Sequence, residues 1–319
     1  MSRSQWKLIL QAPCAALLLA SVAGAQISGP DSGFAYDPNG KAIRLIVGVP
    51  GAAYLGNALL DGLDGAAIAP DGRSAVAAKD GRLLLIGVAD GAVTDLGEWS
   101  GDLALTAWSA DSTAVALKGG RLAGDRLALV RGIGRNAELA AIAQLDDEIT
   151  AIAVAGSGDA VIAATRSGLY RAGADSTLLA LLPDTAALAA TPAGDRIFAA
   201  AGKQIYSLSG LDASAELAIV LSDAAGLEAP SALAVAADGS LYIGDRGAHK
   251  LIAVNPATGE ALYAIDLAFE PVAMSRAAGG RFVLSPAAGD SVEIFDPARQ
   301  AVLFVPQAGV FEAAAGAEE

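Results

Sequence analysis

The chain has 319 residues, of which 54% are hydrophobic and only 5% aromatic, and a net charge of −14 from 21 Lys+Arg against 35 Asp+Glu. So acidic a surface repels phosphate backbones and excludes nucleic acid as a partner. One His and one Cys are too few for zinc, haem or iron–sulfur chemistry. After residue 25 no apolar run reaches the ~18 residues that suggest a membrane-crossing helix, and 75 of the hydrophobic residues are Ala.

Residues 1–25 read as a secretory signal peptide. Arg3 and Lys7 form a positive start, Ala12 to Val22 a short apolar run, and Ala23-Gly24-Ala25 a small-x-small cleavage site before Gln26. Cys14 sits in the middle of that run, which argues against a lipid anchor. Its removal would leave the exported chain, secreted or periplasmic, without a thiol.

From residue 26 a repeat emerges. A small-apolar run ending in a turn occurs six times, as Ala67-Ile-Ala-Pro-Asp-Gly72, Ala107-Trp-Ser-Ala-Asp-Ser112, Ala153-Val-Ala-Gly-Ser-Gly158, Ala189-Ala-Thr-Pro-Ala-Gly194, Ala234-Val-Ala-Ala-Asp-Gly239 and Met274-Ser-Arg-Ala-Ala-Gly279. The final residues are 40, 46, 36, 45 and 40 apart. Each copy is followed by an apolar strand, a tight turn such as Asp80-Gly81, a third strand, and a fourth after a turn such as Asp90-Gly91. Asp-Gly between β-type runs suits a type I′ hairpin, which needs two positive φ angles. Four short strands every ~40 residues without helical periodicity predict an all-β fold, a β-propeller of four-stranded antiparallel blades.

Seven blades are expected, six complete and one N-terminal half blade, with six complete blades and an N-terminal appendage as the alternative. The half blade is the outer-type hairpin Phe34–Gly48 around Asp37-Pro-Asn-Gly40, similar to Glu293–Val305. Gly309-Val-Phe-Glu-Ala313 offers an inner strand from the other terminus, which would close the ring and remove open sheet edges. The propeller is thus expected over 26–312, with an acidic tail at 313–319.

The copy from Pro230 to Val254 carries Asp245, Arg246 and Lys250 after Asp238-Gly239-Ser-Leu-Tyr-Ile. It resembles an NHL-type repeat, with a Gly-Ala-His stretch where that pattern has Asn. This one blade places the chain near the NHL, gluconolactonase-like and WD-type propellers. The resemblance implies a binding ring, or alternatively a divalent-cation-dependent hydrolase acting on lactones or sugars. That hydrolase would need a Glu, an Asn and two Asp around one ion, and Asn occurs only at 39, 57, 136 and 255.

In such a ring the connections between blades share one face, here called the top, with the turns between each blade's second and third strands. The between-blade connections hold Asp61 and Asp64, Asp102, Asp146-Asp147-Glu148, Asp184, Asp223 and Glu228, and Glu270. A negative collar round the channel mouth is expected, suited to a cationic protein or small-molecule partner. Asp146-Asp147-Glu148 offers oxygen ligands for Ca²⁺ without the alternating spacing of a dedicated calcium loop. No other cofactor is expected. His249, the sole imidazole, stands beside Asp245, Arg246 and Lys250 as a ligand contact or general base; one His leaves little room for a catalytic triad. Trp108, Tyr54, Trp99 and Tyr242 are expected to pack. The expected role is a monomeric, non-catalytic binding or assembly scaffold.

Overall fold

The computed structural model describes residues 31–49, 51–101, 103–119, 125–212, 214–287 and 292–306. The expected signal peptide at 1–25, Asp102, the Gly309–Ala313 segment and the expected acidic tail at 313–319 lie outside them. The described residues form seven antiparallel sheets, six of four strands and one, the first, of three. In chain order the blades span 31–60, 65–98, 106–145, 149–180, 185–221, 230–266 and 271–305. Each packs on the next, and the seventh packs on the first, so the chain is a seven-bladed β-propeller.

Local chemistry sets the strand spacing. Asp80 and Gly81 have φ of 49° and 75°, the pair of positive angles that a type I′ turn demands. Where Ala69-Pro-Asp-Gly72 turns between the first two strands of the second blade, Gly72 N donates to Ala69 O at 2.9 Å and Ala69 N to Ser74 O at 2.8 Å.

The sheets are apolar on both faces because each is sandwiched. In the strand Ala160–Thr165 every residue is buried. Val161 and Ala163 pack toward the third blade with Leu127 and Leu129. Ile162 and Ala164 pack toward the fifth with Ile197 and Ala199. Alanine recurs because two inner strands can approach only where side chains are small, and close packing leaves no void to absorb larger ones. Farther from the axis the space widens: Tyr242, Phe282 and Phe295 fill the seam between the sixth and seventh blades, Tyr242 meeting both Phe rings edge-on at 5.2 and 4.9 Å.

Polar side chains fasten the seams at the top. Thr150 Oγ1 donates to Thr185 O at 2.7 Å, Ser231 Oγ to Pro271 O at 2.5 Å, and Lys118 Nζ to Ile149 O at 2.9 Å. In each case the donor side chain belongs to one blade and the backbone acceptor to the next.

The first blade corrects one expectation. Its hairpin, the strands Asp31–Asp37 and Ala42–Val49, is not an outer pair, because a third strand, Ala52–Leu60, lies outside it. Ala35, Ile46 and Leu55 pack against Val283, Ile294 and Val305, which lie on the second, third and fourth strands of the seventh blade. The first blade therefore holds the three outer positions of a blade. The extra strand escapes an alternation search because Gly56-Asn57 interrupts it and its pairing carries two irregularities, between Ile43 and Arg44 and between Arg44 and Ile46. Tyr54, on this strand, is 42% exposed and does not pack as expected, whereas Trp99 and Tyr242 are buried.

Candidate functional site

The top face is built from the connections between blades and the turns beside them. Each described collar residue lies in one of those connections. Asp61, Asp64, Asp146, Glu148, Asp184, Asp223, Glu228 and Glu270 are all exposed there. Asp223 opens a short 3-10 turn, Asp223–Ala225, and Asp184 takes a positive φ of 55°.

The collar is not uniformly free. Glu148 pairs with Arg166 across the fourth blade. Asp147 accepts from Ser167 N at 2.9 Å and Glu148 N at 2.8 Å. Partial burial pushes its carboxyl up, but the hydrogen bonds from Ser167 and Glu148 outweigh that and hold it below the ordinary carboxylate range. Asp147 is thus committed to its own connection and to the neighbouring Ser167 turn. Among the described residues, Asp61, Asp64, Asp146, Asp184, Asp223 and Glu228 make no ion pair, so the negative potential concentrates on them.

Around the sixth blade the face is mixed in sign. His249, at φ 52°, brings Nε2 to 4.0 Å from Glu270 Oε1, with both side chains half exposed. Lys250 Nζ lies 3.7 Å from Asp266. The turn is tied to the connection behind it by Leu267 N to His249 O at 2.8 Å and Arg246 N to Ala229 O at 3.0 Å. Arg246 itself is exposed.

Asp245 differs from its neighbours. It is fully buried, and its oxygens accept from Glu228 N at 2.8 Å, Ala229 N at 2.9 Å and Ala248 N at 3.1 Å. It joins the Glu228 connection to the His249 turn and leaves little acceptor capacity for a ligand. Among the described residues no three His, Cys, Asp or Glu side chains converge on a point that could hold a metal ion.

Two cavities open on the axis. A small one of about 120 Å³ lies among the ends of the inner strands, lined by Trp108, Val154, Ala190, Val235 and Arg276. A larger one of about 410 Å³ adjoins it beside the first blade and shares Trp108 and Arg276. Arg276 donates to Val235 O at 2.5 Å, and burial pushes its pKa down. Trp108 packs partly with Val115 and Leu117, while its buried indole Nε1 has no hydrogen-bond partner among the described residues. Among the described residues, neither cavity is lined by an acidic residue. Trp108 packs as expected, whereas Arg276 was the part of the axis that sequence patterning missed. Arg276 is a single basic residue inside a repeat copy, and the copy alone does not say which way it points.

No protein-family model matches the chain, and no curated protein matches it. Solved structures share its fold. The β-propeller domain of Cps50 (Swd1) from Myceliophteria thermophila is 15% identical, with 84% of this chain and 97% of that one covered at a TM-score of 0.54. Virginiamycin B lyase from Staphylococcus aureus is 12% identical over 77% and 85% of the two chains, TM-score 0.55. A functionally unknown protein from Desulfotomaculum acetoxidans is 13% identical over 86% and 100%, TM-score 0.57. These likenesses show the fold, a β-propeller.

Proposed function

We propose that the chain is an exported, non-catalytic binding scaffold that holds a cationic protein or small-molecule partner on its top face. The observation that carries this reading is the set of exposed carboxylates that, among the described residues, make no ion pair and lie on four of the blade connections: Asp61 and Asp64, Asp146, Asp184, Asp223 and Glu228. Spread round one mouth, such charges focus a negative potential outward and speed the encounter with a basic surface. The mixed patch of Arg246, His249 and Lys250 would orient that partner rather than attract it. Export is supported by the charged start, short apolar run and small-x-small site of residues 1–25.

The test is binding of a Lys/Arg-rich peptide against a Glu/Asp-rich control, by calorimetry at low and high salt. Binding of the basic peptide alone, weakened at least several-fold by added salt and by Asn/Gln replacement of Asp61, Asp64, Asp184 and Asp223, is the expected result. Equal binding by the neutralised variant would overturn the collar as contact surface. Ca²⁺-dependent turnover of a lactone in the same preparation would overturn the non-catalytic role.

A further inference from the structure

Two inner strands break the rule of small side chains on the axis. The six repeat copies align so that one position reads Ile68, Trp108, Val154, Ala190, Val235 and Ser275. The next position reads Ala69, Ser109, Ala155, Thr191, Ala236 and Arg276. Trp108 ends the inner strand of the third blade, and Arg276 is next to last on that of the seventh. Both therefore stand where inner strands lead into the bottom turns, away from the carboxylate collar. Both line the 120 Å³ cavity and the adjoining 410 Å³ cavity. Among the described residues, Arg276 has Val235 O as its one hydrogen-bond acceptor and no carboxylate partner, and the buried indole Nε1 of Trp108 has no acceptor. A half-buried cation without a counterion is costly to the fold. Where a side chain breaks its repeat's pattern at such a cost, a functional role is the expected compensation.

We propose that these axial cavities bind a small organic monocarboxylate, its carboxylate on Arg276 and its apolar body against Trp108. A guanidinium presents a planar fork of N–H donors that matches the two oxygens of a carboxylate. Only one Nη of Arg276 is committed, to Val235 O. Among the described residues Arg276 is the one charged side chain lining the smaller cavity, so a single negative charge balances it. Arg281, on the larger cavity, already has a partner in the chain. A dianion would carry a second, uncompensated charge into the enclosure. The walls give the ligand its apolar part: Phe34, Ile68 and Met274 line the larger cavity, and Val154 and Leu233 the smaller. A volume of about 410 Å³ falls within the roughly 300–1,000 Å³ of pockets that hold small organic ligands. The site differs from the collar in both sign and place, and does not depend on it.

Nuclear magnetic resonance titration of the isotope-labelled full chain with cinnamate tests the site, with cinnamamide and inorganic phosphate as controls. The indole N–H resonance of Trp108, identified by its loss in Trp108→Phe, is expected to shift saturably with cinnamate. Cinnamamide, of the same shape but neutral, should bind at least about 10-fold more weakly. In calorimetry Arg276→Gln should weaken cinnamate at least about 10-fold, and Arg276→Lys, which keeps the charge but not the fork, should weaken it less. Equal binding of cinnamate and cinnamamide overturns the pairing with Arg276, and that comparison needs no variant to fold. An equal shift of Trp108 with phosphate means an adventitious anion only and overturns the organic ligand. A Trp108 resonance unmoved by millimolar cinnamate overturns the site, as it would if another segment of chain or a partner filled the cavities.

Discussion

Ser157 Oγ donates to Asp111 Oδ2 at 2.7 Å, joining the bottom turns of the third and fourth blades. The same carboxylate accepts from Ser109 Oγ at 2.7 Å and Thr113 Oγ1 at 2.8 Å. Partial burial pushes Asp111 up, but the three hydroxyls outweigh it and bring its pKa from 3.8 down to about 2. Because the folded value is depressed, the stabilisation is present above 3.8 and is lost as pH falls towards about 2. Asp111→Asn is therefore expected to lower the unfolding midpoint at pH 7 and to flatten its fall between about pH 4 and pH 2. Thermal melts across that window check it, and an unchanged pH profile would remove Asp111 from the acid response.

Asp245 offers a sharper stability test. Replacing it with Ala strips three backbone N–H groups of their acceptor. With the site fully buried, the expected loss is about 2–4 kcal/mol in urea unfolding. Asp184→Asn, on an exposed neighbouring connection, should stay within about 0.5 kcal/mol of the parent. Similar losses for both would mean that burial does not separate the two carboxylates.

Glycines divide by what surrounds them. A Cβ at Gly194 would lie 2.1 Å from Gly156 N, and Gly194 also has φ of +73°. The bottom turns of the fourth and fifth blades meet there backbone to backbone. Gly194→Ala should cost about 3 kcal/mol or more, combining overlap with left-handed strain. Gly91 has φ of +67° but open space around it, so Gly91→Ala should cost only about 1–2 kcal/mol. Equilibrium unfolding of both variants checks the difference.

The Tyr242, Phe282 and Phe295 cluster predicts a cavity effect. Phe295 is wholly buried, and Phe295→Ala should destabilise by about 3–5 kcal/mol. Phe304, by contrast, is 59% exposed, so Phe304→Ala should change stability little. Calorimetric melting of the pair distinguishes seam packing from general loss of apolar surface.

Much of the ring could be read from the sequence, because its signals are local. Asp80-Gly81 carries its own turn geometry, and the repeat of Ala-x-Ala runs marks inner strands wherever the crowded axis admits only small side chains. The strand at 52–60 was not legible, since Gly56-Asn57 breaks the alternation that identifies strands. The collar was legible as positions, but its electrostatics were not. Asp147 is held by Ser167, and Asp245 by backbone groups of Glu228 and Ala229, partners that only the folded connections bring near. Arg276 was hidden for a similar reason: its burial follows from where the inner strands converge.

The top-side fastenings have a further consequence for how such a ring tolerates change. Thr150, Ser231 and Lys118 each reach a carbonyl of the following blade, and a carbonyl is supplied by any residue. Each of these joints is therefore specified from one side only, and the accepting position is free to vary so long as its backbone stays at the same height. Repeat length is what keeps that height. Repeats built this way can lose almost all their shared letters and still close into a ring, provided their spacing survives.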